Sequence, residues 1–279
     1  MRVFKAHGLG NDYLVLESGE PLNSARIRWL CDRHQGVGSD GLLEPFASTE
    51  ADRGVRIWNP DGSRAEKSGN GLRIFAHWCA RNGAGSAFKV DTGFGIVACR
   101  VLGSDRIEVE MGQATVAPEA IGLQQSTAWV DHPLALSTGD VRPATAVSVG
   151  NPHCVLFTTA NDLDAEPWRS WGASLEVDPR FRNRTNVQLA RVVGPGQLEL
   201  RIHERGAGPT LASGSSSCAA VAAAVLTERS PPGLHEVIMP GGKLQVSCRK
   251  DLHLTLTGPV SEVGWFDVSE RSALPALST

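Results

Sequence analysis

The sequence lacks both the basic charge that nucleic-acid binding requires and an apolar segment long enough to cross a membrane. Its 27 Lys and Arg residues are outnumbered by 30 Asp and Glu, which gives a formal net charge of −3, and no run is rich in basic residues. The longest apolar run, Cys218–Leu226, has nine residues, whereas a membrane-spanning helix needs about 20. We therefore expect neither a nucleic acid nor a membrane as a partner.

Cysteine is also scarce, and no two cysteines are close enough to form a CxxC metal or redox motif. The six are Cys31, Cys79, Cys99, Cys154, Cys218 and Cys248. Met1–Lys5 lead straight into a strand-like pattern, with no apolar leader segment behind them. We expect no metal site and a cytoplasmic protein whose thiols are free and buried.

The chain repeats itself. Ser68–Ala76 and Ser213–Val221 each open with Ser-Gly, pass through a turn of small residues and continue into an apolar, helix-like segment. A second pair of similar segments, Gly10–Leu16 and Gly150–Leu156, follows the same order at a nearly equal offset. Two such pairs indicate two structurally similar halves, which suits a chain of 279 residues.

Most other segments have the pattern of short strands between turns. The predicted strands are Arg56–Trp58, Phe88–Val90, Ile96–Val101, Arg106–Glu110, Gln197–Ile202, Leu252–Thr257 and Val263–Phe266. Three helices are predicted: a buried one over Gly71–Arg81, a buried one over Ser217–Thr227 and an amphipathic outer one over Leu22–His34. Because Ser217–Thr227 is almost all Ala and Val, it has no polar face, and a curled sheet is its natural surrounding.

These patterns predict an α+β fold with two pseudo-symmetric domains. The bounds we expect are residues 1–115 with 263–279 for the N-terminal domain and residues 116–262 for the C-terminal domain. The Pro-, Gln- and Ser-containing stretch from Ala114 to Thr127 is the expected crossover between them.

The two Ser-Gly turns predict an anion site. The first N–H groups of a helix have no intrahelical partner, and the helix dipole favours negative charge there. A small leading residue followed by glycine lets a carboxylate approach the backbone. If both helix ends held one carboxylate, the leading side chains, Ser68 and Ser213, would face opposite sides of its α-carbon. That arrangement suits removal of a proton from one face and its return on the other.

Several motifs together resemble the diaminopimelate epimerase family over nearly the whole chain. They are Lys5–Asp12, Asn59–Ser63, Ser68–Arg73, Gly150–His153, Thr185–Val187, Glu204–Gly208 and Thr257–Pro259, in the family's order and approximate spacing. The resemblance implies a cofactor-independent isomerase with two mirrored domains, each a β-barrel-like sheet wrapped around a central helix, and an active site in the cleft between them. It implies interconversion of LL- and meso-diaminopimelate in lysine biosynthesis, by two-base proton transfer at the α-carbon.

The resemblance also implies a set of site residues for a small amino-acid substrate. The acid/base positions are Ser68 and Ser213. Asn11, Asn59, Asn151, Asn186, Glu204 and Arg205 would hold the non-reacting end of the substrate. Gly69, Asn70, Gly214 and Ser215 would offer backbone N–H groups to the reacting carboxylate. The chemistry agrees, because Arg205 can bind a carboxylate with two hydrogen bonds and Glu204 can accept from an ammonium group. A homodimer is an open possibility.

The sequence departs from the family at the reacting groups, because the family uses cysteine where this chain has Ser68 and Ser213. A helix N-terminus can lower a thiol pKa from about 8.5 into the useful range, whereas an alkyl hydroxyl does not ionise usefully near neutral pH. Cys218 is five residues beyond Ser213, so it points elsewhere on the helix. His7 and His153 lie within matching motifs and are candidates for a helper base.

The sequence leaves several interpretations open. The serines replace cysteines by design, or they are native to a divergent branch that epimerises slowly or with a helper base. Alternatively, the chain keeps the fold and performs another isomerisation or dehydration, or it only binds an amino acid. A β-rich scaffold whose glycines serve only as turns is the remaining interpretation. Smaller departures from the family pattern are Pro209, Ser216 and Arg182.

Overall fold

The computed structural model describes residues 1–19, 21–159, 162–163 and 167–269, and the chain divides into two units. Unit 1 holds Met1–Val109 and the described residues from Gly258 onward, and unit 2 holds Glu110–Thr257. The Ala114–Thr127 stretch lies inside unit 2, since the division falls between Val109 and Glu110, within the strand Arg106–Gln113. The predicted domain bounds, 1–115 with 263–279 and 116–262, stay a prediction.

The described residues of unit 1 form two helices and a series of short strands. In chain order these are β1 (Arg2–Gly8), β2 (Asn11–Ser18), α1 (Ser24–Cys31), β3 (Leu42–Phe46), β4 (Arg53–Trp58), β5 (Arg64–Ala65), α2 (Gly69–Arg81), β6 (Ala87–Asp91), β7 (Ile96–Val101), the start of β8 (Arg106–Gln113) and the last strand, β18 (Ser261–Asp267). The strands pair in the order β18–β1–β2–β3–β4–β6–β7–β8, and β5 also pairs with β4. The pairs β2–β3 and β4–β6 are parallel, and each is bridged by a helix in the chain.

Unit 2 has the same kinds of element. They are the short α3 (Pro118–Ile121), β9 (His132–Ala135), β10 (Val141–Ser148), β11 (Pro152–Phe157), α4 (Pro167–Glu176), β12 (Asn186–Gly194), β13 (Gln197–Glu204), β14 (Gly208–Thr210), α5 (Gly214–Leu226), β15 (Gly233–Met239), β16 (Gly242–Cys248) and β17 (His253–Pro259). The strands pair in the order β9–β10–β11–β12–β13–β15–β16–β17, and β14 also pairs with β13.

The two units share one topology. In unit 2 the parallel pairs are β11–β12 and β13–β15, bridged by α4 and α5, so β10 to β17 repeat the connections of β1 to β8. The predicted α+β fold with two pseudo-symmetric halves is confirmed.

The central helix of each unit is surrounded by its own sheet. Helix α2 contacts β1, β2, β4 and β7, and its Leu72, Ile74 and Phe75 are fully buried. Helix α5 contacts β10, β11, β12, β13 and β16, and Cys218–Val225 are all buried. Its Ala and Val side chains are small, so strands can approach on every side. No helix among the described residues has the length and apolar character that a membrane crossing needs.

Helix ends differ from the predicted ones for local reasons. Helices α2 and α5 begin at Gly69 and Gly214, earlier than predicted, because the preceding serines cap them. Helix α1 is shorter than predicted at both ends. Asn23 caps its start by accepting from the Arg26 amide at 2.9 Å, and the extended backbone of Asp32 (φ −65°, ψ 127°) ends it at Cys31. The predicted strands lie within observed ones except at Leu252, whose φ of 62° does not fit a strand.

Helix α4 was not predicted from the sequence. Its Trp168, Trp171 and Leu175 are buried in a cluster with Trp129 and Phe181. The spacing of these three residues, i, i+3 and i+7, is the signal of a helix with one apolar face.

The burial of two leucines in unit 1 predicts a large loss of stability when one is truncated to alanine and a small loss when the other is. Leu72 on α2 is fully buried, whereas Leu102 after β7 is 50% exposed. We expect Leu72→Ala to lower the free energy of unfolding by about 2–5 kcal/mol, because it leaves a cavity. Leu102→Ala is the matched control and should cost less than about 0.5 kcal/mol. Urea denaturation followed by circular dichroism measures both, and equal losses would contradict the assignment of α2 as the central core helix.

Candidate active site

A serine caps the central helix of each unit. Ser68 precedes α2 with φ −138° and ψ 115°, and its Oγ accepts from the Gly71 amide at 3.0 Å. Ser213 precedes α5 with φ −145° and ψ 128°, and its Oγ accepts from the Ser216 amide at 3.5 Å. Serine is a favoured N-cap residue because its oxygen satisfies an otherwise unpaired N–H group. Both hydroxyls therefore lie at the positive end of a helix dipole.

The residue three positions after each cap differs between the units. A Cβ added at Gly71 would lie 3.2 Å from Ser68 Oγ and 3.3 Å from Leu43 Cδ2, so this position is tight for any side chain. Ser216 occupies the equivalent place in unit 2 and is fully buried. Its Oγ accepts from Gln188 Nε2 at 3.0 Å, which ties the start of α5 to β12.

In unit 1 the structure brings Asn11, Ser68, Gly69 and Asn70 together. Asn11 begins β2, and its Oδ1 accepts from Asn70 Nδ2 at 2.9 Å. Gly69 and Asn70 are the first two residues of α2, directly after Ser68. Asn59 lies in its own turn after β4, where its Nδ2 donates to Ser63 Oγ at 3.0 Å.

In unit 2 the predicted substrate-binding residues lie at neighbouring strand ends. Asn151 precedes β11, and Asn186 begins β12. Asn186 Nδ2 donates to the Pro152 carbonyl at 2.9 Å, and its Oδ1 accepts from the Arg205 amide at 3.0 Å. Asn186 is therefore engaged within the protein on both sides of its amide.

Glu204 and Arg205 follow each other at the end of β13. Glu204 Oε2 accepts from Thr210 Oγ1 at 3.1 Å, and Arg205 Nη1 donates to the Asn183 carbonyl at 3.2 Å. Ser213 caps α5, and Gly214 and Ser215 are its first two residues, with Ser213 Oγ and Ser215 Oγ 3.5 Å apart. The contacts of Glu204 and Arg205 use one oxygen of Glu204 and one nitrogen of Arg205.

The two candidate helper bases contact other groups. His7 Nδ1 accepts from the Gly10 amide at 3.3 Å, in the turn between β1 and β2. His153 Nε2 lies 2.9 Å from Asn151 Oδ1, which requires a proton on Nε2. Among the described residues, Ser68 and Ser213 have hydroxyl contacts with their own helix starts and not with a histidine.

Burial sets the charge state of His153. Burial lowers its pKa to about 3, and the positive charge of Arg205 acts in the same direction. The imidazole is therefore neutral near pH 7 and a weak base. Its role in this geometry is to hold the Asn151 amide oxygen, which turns the Asn151 NH₂ group away from the histidine.

No cysteine takes the place of the missing thiols. All six cysteines are buried, and none forms a disulfide. Burial raises the pKa of Cys79, Cys99 and Cys154 to about 12 and that of Cys248 to about 11. These thiols are protonated near neutral pH. Within the part of the chain that the structure describes, no group of three or more His, Cys, Asp or Glu side chains is arranged to hold a metal ion.

Comparison with known proteins decides the family. The family model described as diaminopimelate epimerase matches residues 3–117 and 145–263. The chain belongs to the diaminopimelate epimerase family. One relative, diaminopimelate epimerase 2 of Nostoc sp., is 39% identical over 281 residues, 96% of this chain and 96% of the relative. The diaminopimelate epimerase of Synechococcus elongatus is 40% identical over 273 residues, 93% of this chain and 95% of the relative.

Solved structures of related proteins share the family fold. A predicted epimerase of Pseudomonas aeruginosa superposes with a TM-score of 0.71 at 18% identity, covering 96% of this chain and 98% of that one. A hydroxyproline epimerase of Agrobacterium vitis, with bound trans-4-hydroxy-L-proline, gives a TM-score of 0.71 at 14% identity and covers 98% of this chain and 93% of that one. At these identities the likeness shows the fold.

Sequence reasoning missed two residues that organise the predicted site. Gln188 is a fully buried polar residue within the apolar strand β12, and such a residue needs a hydrogen-bond partner. That isolated polarity was the available signal. Asp40 precedes β3 and accepts from Asn11 Nδ2 at 2.9 Å. Nothing local in the sequence pairs Asp40 with Asn11, since they are 29 residues apart.

The neutral, buried state of His153 predicts a pH dependence of stability. The folded-state pKa of about 3 lies below the ordinary value of 6.5, so the unfolded chain takes up a proton first as the pH falls. The stabilisation is complete above pH 6.5 and is lost as the pH falls from 6.5 towards 3. Between pH 7.5 and pH 5 we expect the native sequence to lose about 2 kcal/mol more unfolding free energy than His153→Gln.

Urea denaturation at both pH values measures this difference. His34→Gln is the matched control, because His34 is exposed, and it should keep the pH dependence of the native sequence. Equal pH dependence in the native sequence and in His153→Gln would contradict the assignment.

Proposed function

We propose that this protein is a cofactor-independent epimerase that interconverts LL- and meso-diaminopimelate by two-base proton transfer at the α-carbon, in lysine biosynthesis. One observation carries the proposal: two buried helices at equivalent positions of the repeated topology each begin with a serine cap, in a chain of this family. Relatives that are 39% and 40% identical over nearly their full length are named as this enzyme.

In this proposal Ser68 and Ser213 are the acid and the base. One serine, as an alkoxide, takes the α-proton of the substrate, and the other gives its hydroxyl proton to the opposite face of the resulting carbanion. The two serines end in exchanged protonation states, so the reverse reaction uses them in reverse. The N–H groups that the cap oxygens accept from stabilise the alkoxide.

The remaining predicted site residues bind the substrate in this proposal. Backbone N–H groups of Gly69, Asn70, Gly214 and Ser215 hold the reacting carboxylate, as unpaired amides at helix starts do for anions. Arg205 and Glu204 hold the distant carboxylate and ammonium groups, together with Asn11, Asn59 and Asn151. Asn186 supports the site indirectly, because its side-chain amide already links the Pro152 carbonyl to the Arg205 backbone N–H.

The serines set the expected rate. A hydroxyl is a far weaker acid than a thiol, so less of it is ionised near neutral pH. General-base catalysis typically contributes a factor of about 10²–10⁴. We therefore propose a slow epimerase, in which restoring the thiols increases the rate.

Deuterium exchange tests this function directly. In D₂O we expect the native protein to introduce deuterium slowly at the α-carbon of meso-diaminopimelate and to produce the LL isomer. Ser68→Cys combined with Ser213→Cys should accelerate exchange by about 10²-fold or more. Mass spectrometry and chiral chromatography measure both products.

Controls separate the two serines from others at the same helix start. Ser217→Cys, alone in the native sequence, places a thiol in the first turn of α5, where the Ser217 hydroxyl donates to the Ser213 carbonyl at 2.8 Å. It changes no proposed acid, base or substrate-binding residue, and it should not accelerate exchange. Absence of exchange in both the native protein and the Ser68→Cys, Ser213→Cys form would overturn the epimerase proposal.

We also propose a cytoplasmic location and a homodimer. Six buried cysteines, none in a disulfide, support a reducing compartment. Among the described residues, β18 pairs with β1 alone, so its other edge is available for a second copy. Three apolar side chains of β18 are exposed, Val263, Trp265 and Phe266, at 52%, 41% and 37%. An edge strand of this kind can pair with its own copy about a two-fold axis.

A charged residue on this edge should break the dimer. We expect sedimentation equilibrium to give a dimer for the native protein and a monomer for Val263→Lys. Val141→Lys is the matched control, because Val141 is 58% exposed on β10, and it should stay dimeric. A monomeric native protein at about 100 μM would rule the dimer out.

A further inference from the structure

Four side chains of unit 1 form a continuous hydrogen-bonded chain at the start of α2. Asp40 Oδ2 accepts from Asn11 Nδ2 at 2.9 Å. Asn11 Oδ1 accepts from Asn70 Nδ2 at 2.9 Å, and Asn70 Oδ1 accepts from Arg73 Nη2 at 2.8 Å. This hydrogen-bonded chain connects the segment before β3, the start of β2 and the first turn of α2.

The charged ends fix the direction of every bond in this chain. A guanidinium can only donate, so it must face the oxygen of Asn70. An ionised carboxylate can only accept, so it must face the NH₂ group of Asn11. The amide orientations of both asparagines follow from these two ends. If either side-chain amide rotated by half a turn, it would lose the hydrogen bond at its oxygen and the one at its nitrogen.

Burial makes the hydrogen-bonded chain rigid at its Arg73 end. Arg73 is fully buried and Asn70 is 3% exposed. A Cβ on Gly8 would lie 2.6 Å from Arg73 Nη2, so only glycine lets β1 pass so close to the guanidinium. A buried charge in the central helix is costly unless it is paired or hydrogen-bonded, and its contact with Asn70 supplies one such bond.

We propose that Asp40 and Arg73 are positioning residues that hold Asn11 and Asn70 in one amide orientation at the start of α2. Asn11 then keeps its second N–H and the second lone pair of its oxygen for a bound amino acid. Asn70 holds the first turn of α2, which offers its backbone N–H groups beside Ser68. This inference rests on the proposed function for the identity of the ligand and on the hydrogen bonds above for the chain itself.

Asp40 also has contacts with groups other than Asn11. Its Oδ1 accepts from Arg33 Nη2 at 2.7 Å, and its Oδ2 accepts from the Asp12 amide at 3.1 Å. Arg33 also pairs with Asp12, whose carboxylate lies 2.9 Å from Lys5 Nζ. The experiment must therefore separate the contact with Asn11 from the ion pair with Arg33.

A double-mutant cycle makes this separation. Calorimetry measures the Kd of meso-diaminopimelate for the native protein, Asp40→Ala, Asn11→Ala and the double variant. If Asp40 acts through Asn11, Asp40→Ala should weaken binding about tenfold in the native background and less than twofold in the Asn11→Ala background. Arg33→Gln is the matched control. It removes the ion pair but keeps the bond between Asp40 and Asn11, so Kd should stay within twofold.

A second readout needs no ligand. The side-chain NH₂ resonances of Asn70, assigned by their loss in Asn70→Ala, report its hydrogen bond to Asn11 in ¹H–¹⁵N spectra. Asp40→Ala should shift these resonances when Asn11 is present and leave them in place in the Asn11→Ala background. A contact that served only the fold would not produce this dependence on Asn11.

The outcomes distinguish this inference from the proposed function. If no form binds diaminopimelate, the proposed function fails and the Asn70 resonances decide the positioning role. The positioning role is overturned if Asp40→Ala weakens binding equally in both backgrounds. Where nothing binds, it is overturned if the Asn70 resonances do not respond to Asp40→Ala.

Discussion

The structure depends on how the first N–H groups of two buried helices, which have no partner within the helix, are satisfied. Helices α2 and α5 are enclosed by their own sheets. The N–H groups of their first turns can therefore be satisfied mainly by capping side chains or by a ligand. Ser68 and Ser213 each satisfy one of these N–H groups, and the groups that remain favour an anion. The same feature begins each helix and places a serine hydroxyl beside the N–H groups of its first turn.

The two units use one topology but support their helix starts with different chemistry. In unit 1, charged groups at both ends of a hydrogen-bonded chain fix the asparagine amides beside Ser68. In unit 2, the contacts are neutral: His153 holds Asn151, and Gln188 donates to Ser216. A repeated fold thus provides two equivalent helix starts, while the polar residues around each have diverged.

Some of the candidate site could be predicted from the sequence because its residues are local. Ser68, Gly69 and Asn70 are consecutive, as are Ser213, Gly214 and Ser215, and the N-cap role follows from serine before a small-residue helix start. The partners of the asparagines could not be predicted in this way. Asp40 lies 29 residues from Asn11, and Gln188 lies 28 residues from Ser216. Only strand pairing and the packing of α2 and α5 bring them within hydrogen-bond distance.

The sequence by itself determined the repeat, the two central helices, most strands and the serine at each helix start, because these depend on periodicity, turn residues and capping within a few positions. The tertiary structure decided which groups are buried and which polar atoms meet. His153 illustrates the difference: the sequence marks it as a titratable residue in a family motif, and its enclosure in unit 2 makes it a neutral donor to Asn151. Burial and long-range pairing depend on how distant segments pack, and no local pattern encodes either one.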